Sequence, residues 1–148
     1  MNYESANEKT YLASEQLVSI TDLNGKITYA NEEFCEVAGY TLEELVGQNH
    51  SIVRHPSMPK AAFADLWSKL KQEDSWRGMV KNRCKNGDYY WVDAYVTPVY
   101  ENDKIIGYQS VRILPNQQQK EKAQKIYDRL NNEKSISEIQ SNVNLKRI

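Results

Sequence analysis

The pattern of apolar and polar positions predicts five β-strands in two groups. In the first group, the alternating segment 16–22 is followed by the turn signal Asn24-Gly25 and by a return strand over residues 26–30. The second group has three alternating segments joined by the turn signals Asn86-Gly87 and Asn102-Asp103, and they cover residues 76–84, 89–100 and 105–114. Because turns this short join antiparallel neighbours, we expect antiparallel strands within each group.

Three short helices are predicted between the two groups of strands. Asn31 can cap the first helix, and Gly39 ends it. The segment 41–44 matches the capping box, in which a hydroxyl and a carboxylate each accept from the other residue's backbone N–H, and Gly47 ends this second helix. The third helix begins near Pro59 and carries four apolar residues at spacings of three and four, namely Phe63, Leu66, Trp67 and Leu70. This apolar face is expected to cover a sheet.

These elements predict an α+β fold, with a five-stranded antiparallel sheet and short helices on one of its faces. The domain is expected to span residues 15–114, after a mobile or helical lead-in over residues 1–14 and before a helical extension over residues 115–148. Two short amphipathic helices are predicted in the extension, because its apolar spacing slips after Leu130 and a new capping box begins at Ser135. Helices this short need a partner surface, such as a twin subunit or a signalling module.

Composition narrows the class of protein. The formal net charge of −1 gives no electrostatic footprint for nucleic acid. The two cysteines, Cys35 and Cys84, are far apart and indicate neither a disulfide framework nor a metal site. This usage fits a reducing, cytoplasmic setting, and no apolar run approaches the roughly 20 residues of a membrane helix.

The connection over residues 47–67 concentrates side chains that suit a ligand. His50, Arg54 and His55 precede the apolar helix face that carries Trp67, so their polar groups can converge beside an apolar wall. A cofactor pocket requires that combination. Two structural alternatives remain at this point: Arg54 could make a surface ion pair, and His55 could cap a backbone carbonyl.

The strand over residues 76–84 adds two further candidates. Trp76 and Asn82 alternate onto one face with small or apolar residues, whereas the opposite face carries Arg77, Met79, Lys81 and Arg83 and is expected to meet solvent. A buried Asn82 carboxamide needs a hydrogen-bond partner. The polar edge of a heterocycle would satisfy it, and a backbone contact is the structural alternative.

Enzymatic activity is not expected. The sequence contains no GxSxG, no P-loop and no HExxH. His50 and His55 are five residues apart, which does not match the spacing of helical zinc ligands. His55 and Asp65 could form an acid–base pair, but nothing in the sequence supplies a nucleophile with them.

Several motifs together resemble the PAS sensor domain, in particular YAN, GYT-x-EEL-x-G and K-NG-x-YYW-V. More narrowly, VRHPSMPKAAFADLW with W-x-G-x-VKNR-x-KNGDYYWV is similar to the PAS domain of bacterial aerotaxis and redox-sensing chemotaxis transducers. That resemblance implies non-covalent FAD binding and a report of redox or oxygen state to a chemotaxis signalling domain, in cis or in trans. It also implies a homodimer and the cytoplasmic sensor part of a membrane-anchored methyl-accepting chemotaxis protein.

The resemblance assigns flavin-binding or signalling positions to seven residues: Asn31, His50, Arg54, His55, Trp67, Trp76 and Asn82. Ser57 stands where the family commonly has an aspartate, whose carboxylate can orient Arg54 or the nucleotide. Two alternatives to FAD remain open. One is a haem-based oxygen or gas sensor with His50 or His55 on the iron. The other is a ligand-free or metabolite-binding PAS module that serves dimerisation.

Overall fold

A single antiparallel sheet organises the chain. The computed structural model describes residues 6–147, with side chains for residues 6–133. The five strands are β1 (Leu17–Asp22), β2 (Ile27–Ala30), β3 (Trp76–Arg83), β4 (Tyr89–Glu101) and β5 (Lys104–Ile113). Their order in the sheet is β2-β1-β5-β4-β3, so the two predicted groups join where β1 pairs with β5. The predicted fold class is confirmed, and every strand limit lies within one residue of its predicted position.

The short helices lie on one face of the sheet, called here the inner face. They are α1 (Glu32–Ala38), α2 (Leu42–Leu45), a 3-10 turn (His50–Val53) and α3 (Lys60–Lys71). The predicted caps are present: the Asn31 side chain accepts from the Phe34 N–H, and Thr41 and Glu44 form both bonds of the capping box. The core between these helices and the inner face includes Leu17, Ile27, Phe34, Val37, Tyr90 and Val92.

The opposite, outer face of the sheet is partly covered by the C-terminal helix α4 (Gln117–Arg147). The Tyr127 ring stacks on Trp91 with centroids 6.3 Å apart, and the Tyr127 hydroxyl donates to the Met79 carbonyl oxygen. Lys81 Nζ lies 4.4 Å from the centre of the Tyr89 ring. The prediction that this face of β3 meets solvent is therefore wrong for Met79 and Lys81, because aromatic residues of β4 form a platform that α4 covers.

The C-terminal extension is one helix rather than the two that the sequence predicts. Residues 117–147 contain neither proline nor glycine, so the slip in apolar spacing does not interrupt the backbone hydrogen bonds. The side chain of Ser135, on which the second cap depends, lies outside the described side chains. Within the described residues, no helix is both long and apolar enough to cross a membrane.

Residues 6–14, the described part of the N-terminal lead-in, contain no helix and contact the domain at several points. Glu8 forms a parallel bridge with Tyr89, at the start of β4. The Glu8 carboxylate also accepts from Lys120 Nζ at 3.1 Å, which ties the lead-in to the first turns of α4. The Tyr11 hydroxyl donates to the Trp91 carbonyl oxygen at 2.8 Å.

Candidate ligand pocket

A cavity lies between α3 and the inner face of the sheet. It is partly open to solvent and its lining is mostly apolar with a few polar groups, as in many small-molecule sites. The apolar face of α3 forms one wall, as the spacing of its residues predicts. The lining comprises Ser19, Thr21, Gly25, Asn49, His50, Ser51, Arg54, Phe63, Leu66, Trp67, Leu70, Trp76, Val80, Asn82, Ala94, Val96, Tyr108, Ser110 and Arg112.

Five of the predicted site residues line this cavity: His50, Arg54, Trp67, Trp76 and Asn82. An antiparallel bridge between Arg54 and Asn82 brings the loop before α3 against β3. Asn49 caps the 3-10 turn by accepting from the Ser51 N–H at 3.0 Å, which fixes the backbone that presents His50. Residues far apart in sequence thus share one cavity.

Arg54 is half-buried against the apolar wall. Its guanidinium carbon lies 3.5 Å from the centre of the Phe63 ring, a cation–π contact. Burial lowers the pKa of Arg54. In the part of the chain with described side chains it pairs with no carboxylate, and its Nε has no hydrogen-bond partner. The alternative of a surface ion pair is therefore wrong, and this guanidinium retains donor capacity at the cavity.

A second buried guanidinium, Arg112 of β5, was missed by sequence reasoning. It is only 6% exposed, and it donates to Ser19 Oγ at 3.0 Å and contacts His50 Nε2 at 2.7 Å. Burial lowers the pKa of Arg112 to about 10, so the group stays charged at neutral pH. No ion pair to a carboxylate accompanies it in the described part of the chain.

His50 is the hydrogen-bond acceptor for this guanidinium. Burial, and then the neighbouring charge of Arg112, lower the pKa of His50 to about 3. The ring is therefore neutral at pH 7, and because Nε2 accepts, Nδ1 carries the hydrogen. Ser19 Oγ also lies 3.0 Å from Nε2, so these three side chains form one polar cluster on the cavity wall.

Trp76 joins the strand wall of the cavity to α3. Its Nε1 donates to Asp65 Oδ2 at 2.8 Å, and its indole is 8% exposed. A Cβ at Gly78 would lie 2.4 Å from the indole ring, so the ring can cross the strand only because residue 78 is glycine. β3 therefore supplies both the large flat ring of Trp76 and, at Gly78, the space that this ring occupies.

Three predicted site residues lie outside the cavity lining: Asn31, His55 and Ser57. Asn31 Oδ1 accepts from the Val18 N–H as well as capping α1, so it ties α1 to β1. His55 Nδ1 accepts from the Ser57 N–H at 3.0 Å, so this ring nitrogen is bonded to a backbone N–H and not to a backbone carbonyl. Ser57 is exposed, and its carbonyl oxygen accepts from Asn131 of α4 at 2.9 Å. Ser57, which stands where the family commonly has an aspartate, therefore lies beside His55 and α4 and not at the cavity.

Comparisons with known proteins agree with this architecture. The PAS fold family matches residues 27–112. The aerotaxis receptor of Escherichia coli K12 is 50% identical over 125 residues, which are 84% of this chain and 25% of the receptor. The nitrogen fixation regulatory protein of Klebsiella pneumoniae is 38% identical over 82 residues, 55% of this chain and 17% of that protein.

Among solved structures, the PAS domain of a Colwellia psychrerythraea protein matches with a TM-score of 0.62 at 23% identity, covering 68% of this chain and 86% of that domain. The chain spans about a quarter or less of the length of the two curated relatives. This chain belongs to the PAS family, and its PAS domain is of the type found in bacterial aerotaxis transducers.

Proposed function

We propose that this domain, over residues 15–114, binds FAD non-covalently and reports redox or oxygen state to a chemotaxis-type signalling module. One observation carries the proposal. The cavity combines an apolar, aromatic wall with two guanidinium groups, Arg54 and Arg112, and no aspartate or glutamate is among its described lining residues. Such a site is suited to a flat ring system that bears hydrogen-bond acceptors or negative charge. The similarity to the aerotaxis receptor supports the same class of ligand.

The residues present fit a flavin nucleotide. Trp76 and the Phe63 side of α3 supply flat apolar surface for a ring, whereas Arg54 has an unpaired donor for a phosphate or carbonyl oxygen. FAD would contribute reversible electron transfer, which alters the charge and the hydrogen bonding of its ring. Arg112 keeps its charge and His50 stays neutral at pH 7. The protein's response then depends on rearranged hydrogen bonds rather than on protonation of His50.

A route from the cavity to the outer face follows from β3. Asn82 lines the cavity, and the backbone carbonyl oxygen of Met79, three residues earlier on the same strand, accepts from the Tyr127 hydroxyl of α4. In this proposal a change in the hydrogen bonds of Asn82 shifts β3 and so biases the docking of α4, and a switch requires that α4 have a second arrangement. In this proposal residues 115–148 are the signalling extension, and the output module is reached in cis or in trans from a homodimer in the cytoplasm.

The geometry favours flavin over the haem alternative. His50 Nε2 is engaged by Arg112 at 2.7 Å, so iron coordination there would displace a buried guanidinium. His55 lies outside the cavity lining. The ligand-free alternative is disfavoured by the buried Arg54 Nε, which has no hydrogen-bond partner among the described residues.

We expect Arg54→Ala to weaken FAD binding by about ten- to a hundredfold, because a charge-assisted hydrogen bond is lost. The measurement is a titration of FAD into cofactor-stripped protein, followed by quenching of flavin fluorescence. Arg129→Ala is the matched control, since Arg129 is an exposed arginine on α4, away from the cavity. Equal affinities for the Arg54→Ala variant and the wild type would remove Arg54 from the site, and the absence of binding to the wild type would refute the proposed function.

A further inference from the structure

Ser110 is a buried hydroxyl that the fold itself does not satisfy. It lies on the inner face of β5, is 6% exposed, and lines the cavity. Its Oγ has no hydrogen-bond partner among the residues that the structure describes. The adjacent strands offer none at this level of the sheet, because Val96 opposite on β4 is apolar and Ser19 opposite on β1 is engaged by Arg112.

A hydroxyl in this position carries a cost in the ligand-free protein. Burying a polar group without a hydrogen bond is unfavourable, and buried side-chain polar atoms in native proteins nearly always have a partner. Alanine would fill almost the same space without that cost. A serine at this position is therefore explained if a bound molecule supplies the missing partner.

We infer that Ser110 contacts the ligand and hydrogen-bonds the polar edge of its ring system; this inference rests on the proposed function. Ser110, Ser19, His50 and Arg112 form a polar region on the sheet side of the cavity, and α3 presents apolar side chains across from it. The polar edge of the ring thus faces β5. Because a hydroxyl both donates and accepts, Ser110 can meet a ring carbonyl or a ring nitrogen. It is a specificity-determining residue, since a ring with an apolar edge would leave Oγ unpaired.

The test compares Ser110→Ala with the wild type in the full chain, by two readouts. Without cofactor, the variant should unfold at a temperature about 2–4 °C higher, because an unsatisfied hydroxyl is gone. With FAD, its dissociation constant should rise about five- to tenfold. Ser19→Ala is the matched control: its Oγ accepts from Arg112, so the cofactor-free protein should become less stable.

The outcomes separate the inference from the proposed function. Unchanged FAD affinity in Ser110→Ala, with binding to the wild type intact, would overturn the inference alone. A lower unfolding temperature of the cofactor-free variant would also overturn it, since Ser110 would then be a structural residue. Failure of the wild type to bind FAD would instead refute the proposed function, and the inferred contact would fall with it.

Discussion

Trp76→Ala is expected to lower the free energy of unfolding by about 3–5 kcal/mol, the usual cost of removing a large buried aromatic side chain. The indole is 8% exposed and packs in the core between β3 and α3. Its removal would enlarge the cavity and break the bond that joins β3 to Asp65 of α3. FAD affinity should fall in parallel, because the indole forms part of the cavity wall.

Urea unfolding at pH 7 measures this effect, and Trp76→Phe provides the control. Phenylalanine keeps an aromatic wall but is smaller than the indole and lacks its N–H, so the loss should be smaller than for Trp76→Ala and combine the missing bond to Asp65 with a small packing defect. A loss below 1 kcal/mol for Trp76→Ala would show that the indole does not support the packing of α3 on the sheet.

Mild acid should destabilise the protein by about 2 kcal/mol between pH 6 and pH 5, because two histidines are held neutral in the fold. Burial and then Arg112 lower the pKa of His50 to about 3. Burial and then the charges of Lys81 and Arg83 lower the pKa of His55 to about 4. Below pH 6.5 the unfolded chain binds protons that the folded chain does not, so stability falls as pH falls through this window.

The surroundings of His50 support the sign of this effect. His50 faces the cations Arg112 and Arg54, the Ser19 hydroxyl and the Phe34 ring, and among the described side chains no carboxylate is hydrogen-bonded to its ring. Urea midpoints at pH 7, 6 and 5 measure the slope. In His50→Gln and His55→Asn an amide oxygen can replace the accepting nitrogen, so each variant should lose about half of the slope. A flat profile in the wild type between pH 6 and 5 would contradict the buried neutral state of both histidines.

Local sequence signals predict most of the fold. Three kinds of signal act over only a few residues: the Asn-Gly turns, the caps at Asn31 and Thr41, and the apolar face of α3. The structure that each one forms can therefore be predicted without knowing which distant residues it contacts. Long-range contacts decide the features that the sequence mispredicts. The sequence of β3 predicts a solvent-exposed outer face, because no signal within that strand indicates that α4 packs over Met79 and Lys81.

The candidate site follows the same division. The connection that carries His50 and Arg54 is recognisable as a cluster in sequence, and both residues line the cavity. Arg112 and Ser110 cannot be recognised as site residues from the sequence. Their role depends on the pairing of β5 with β1, which places them beside Ser19. A signal exists in hindsight: Tyr108, Ser110 and Arg112 alternate as polar residues on one face of a predicted strand.

An absorption spectrum of the purified protein from about 300 to 700 nm, before and after dithionite, tests the proposed flavin most directly. The heat-released supernatant is checked for fluorescence at the same time. If the domain holds FAD, the spectrum should show the twin bands of oxidised flavin, their loss on reduction, and release of a fluorescent, non-covalently held cofactor. A single intense haem band, or a trace that stays featureless after incubation with FAD, would contradict it.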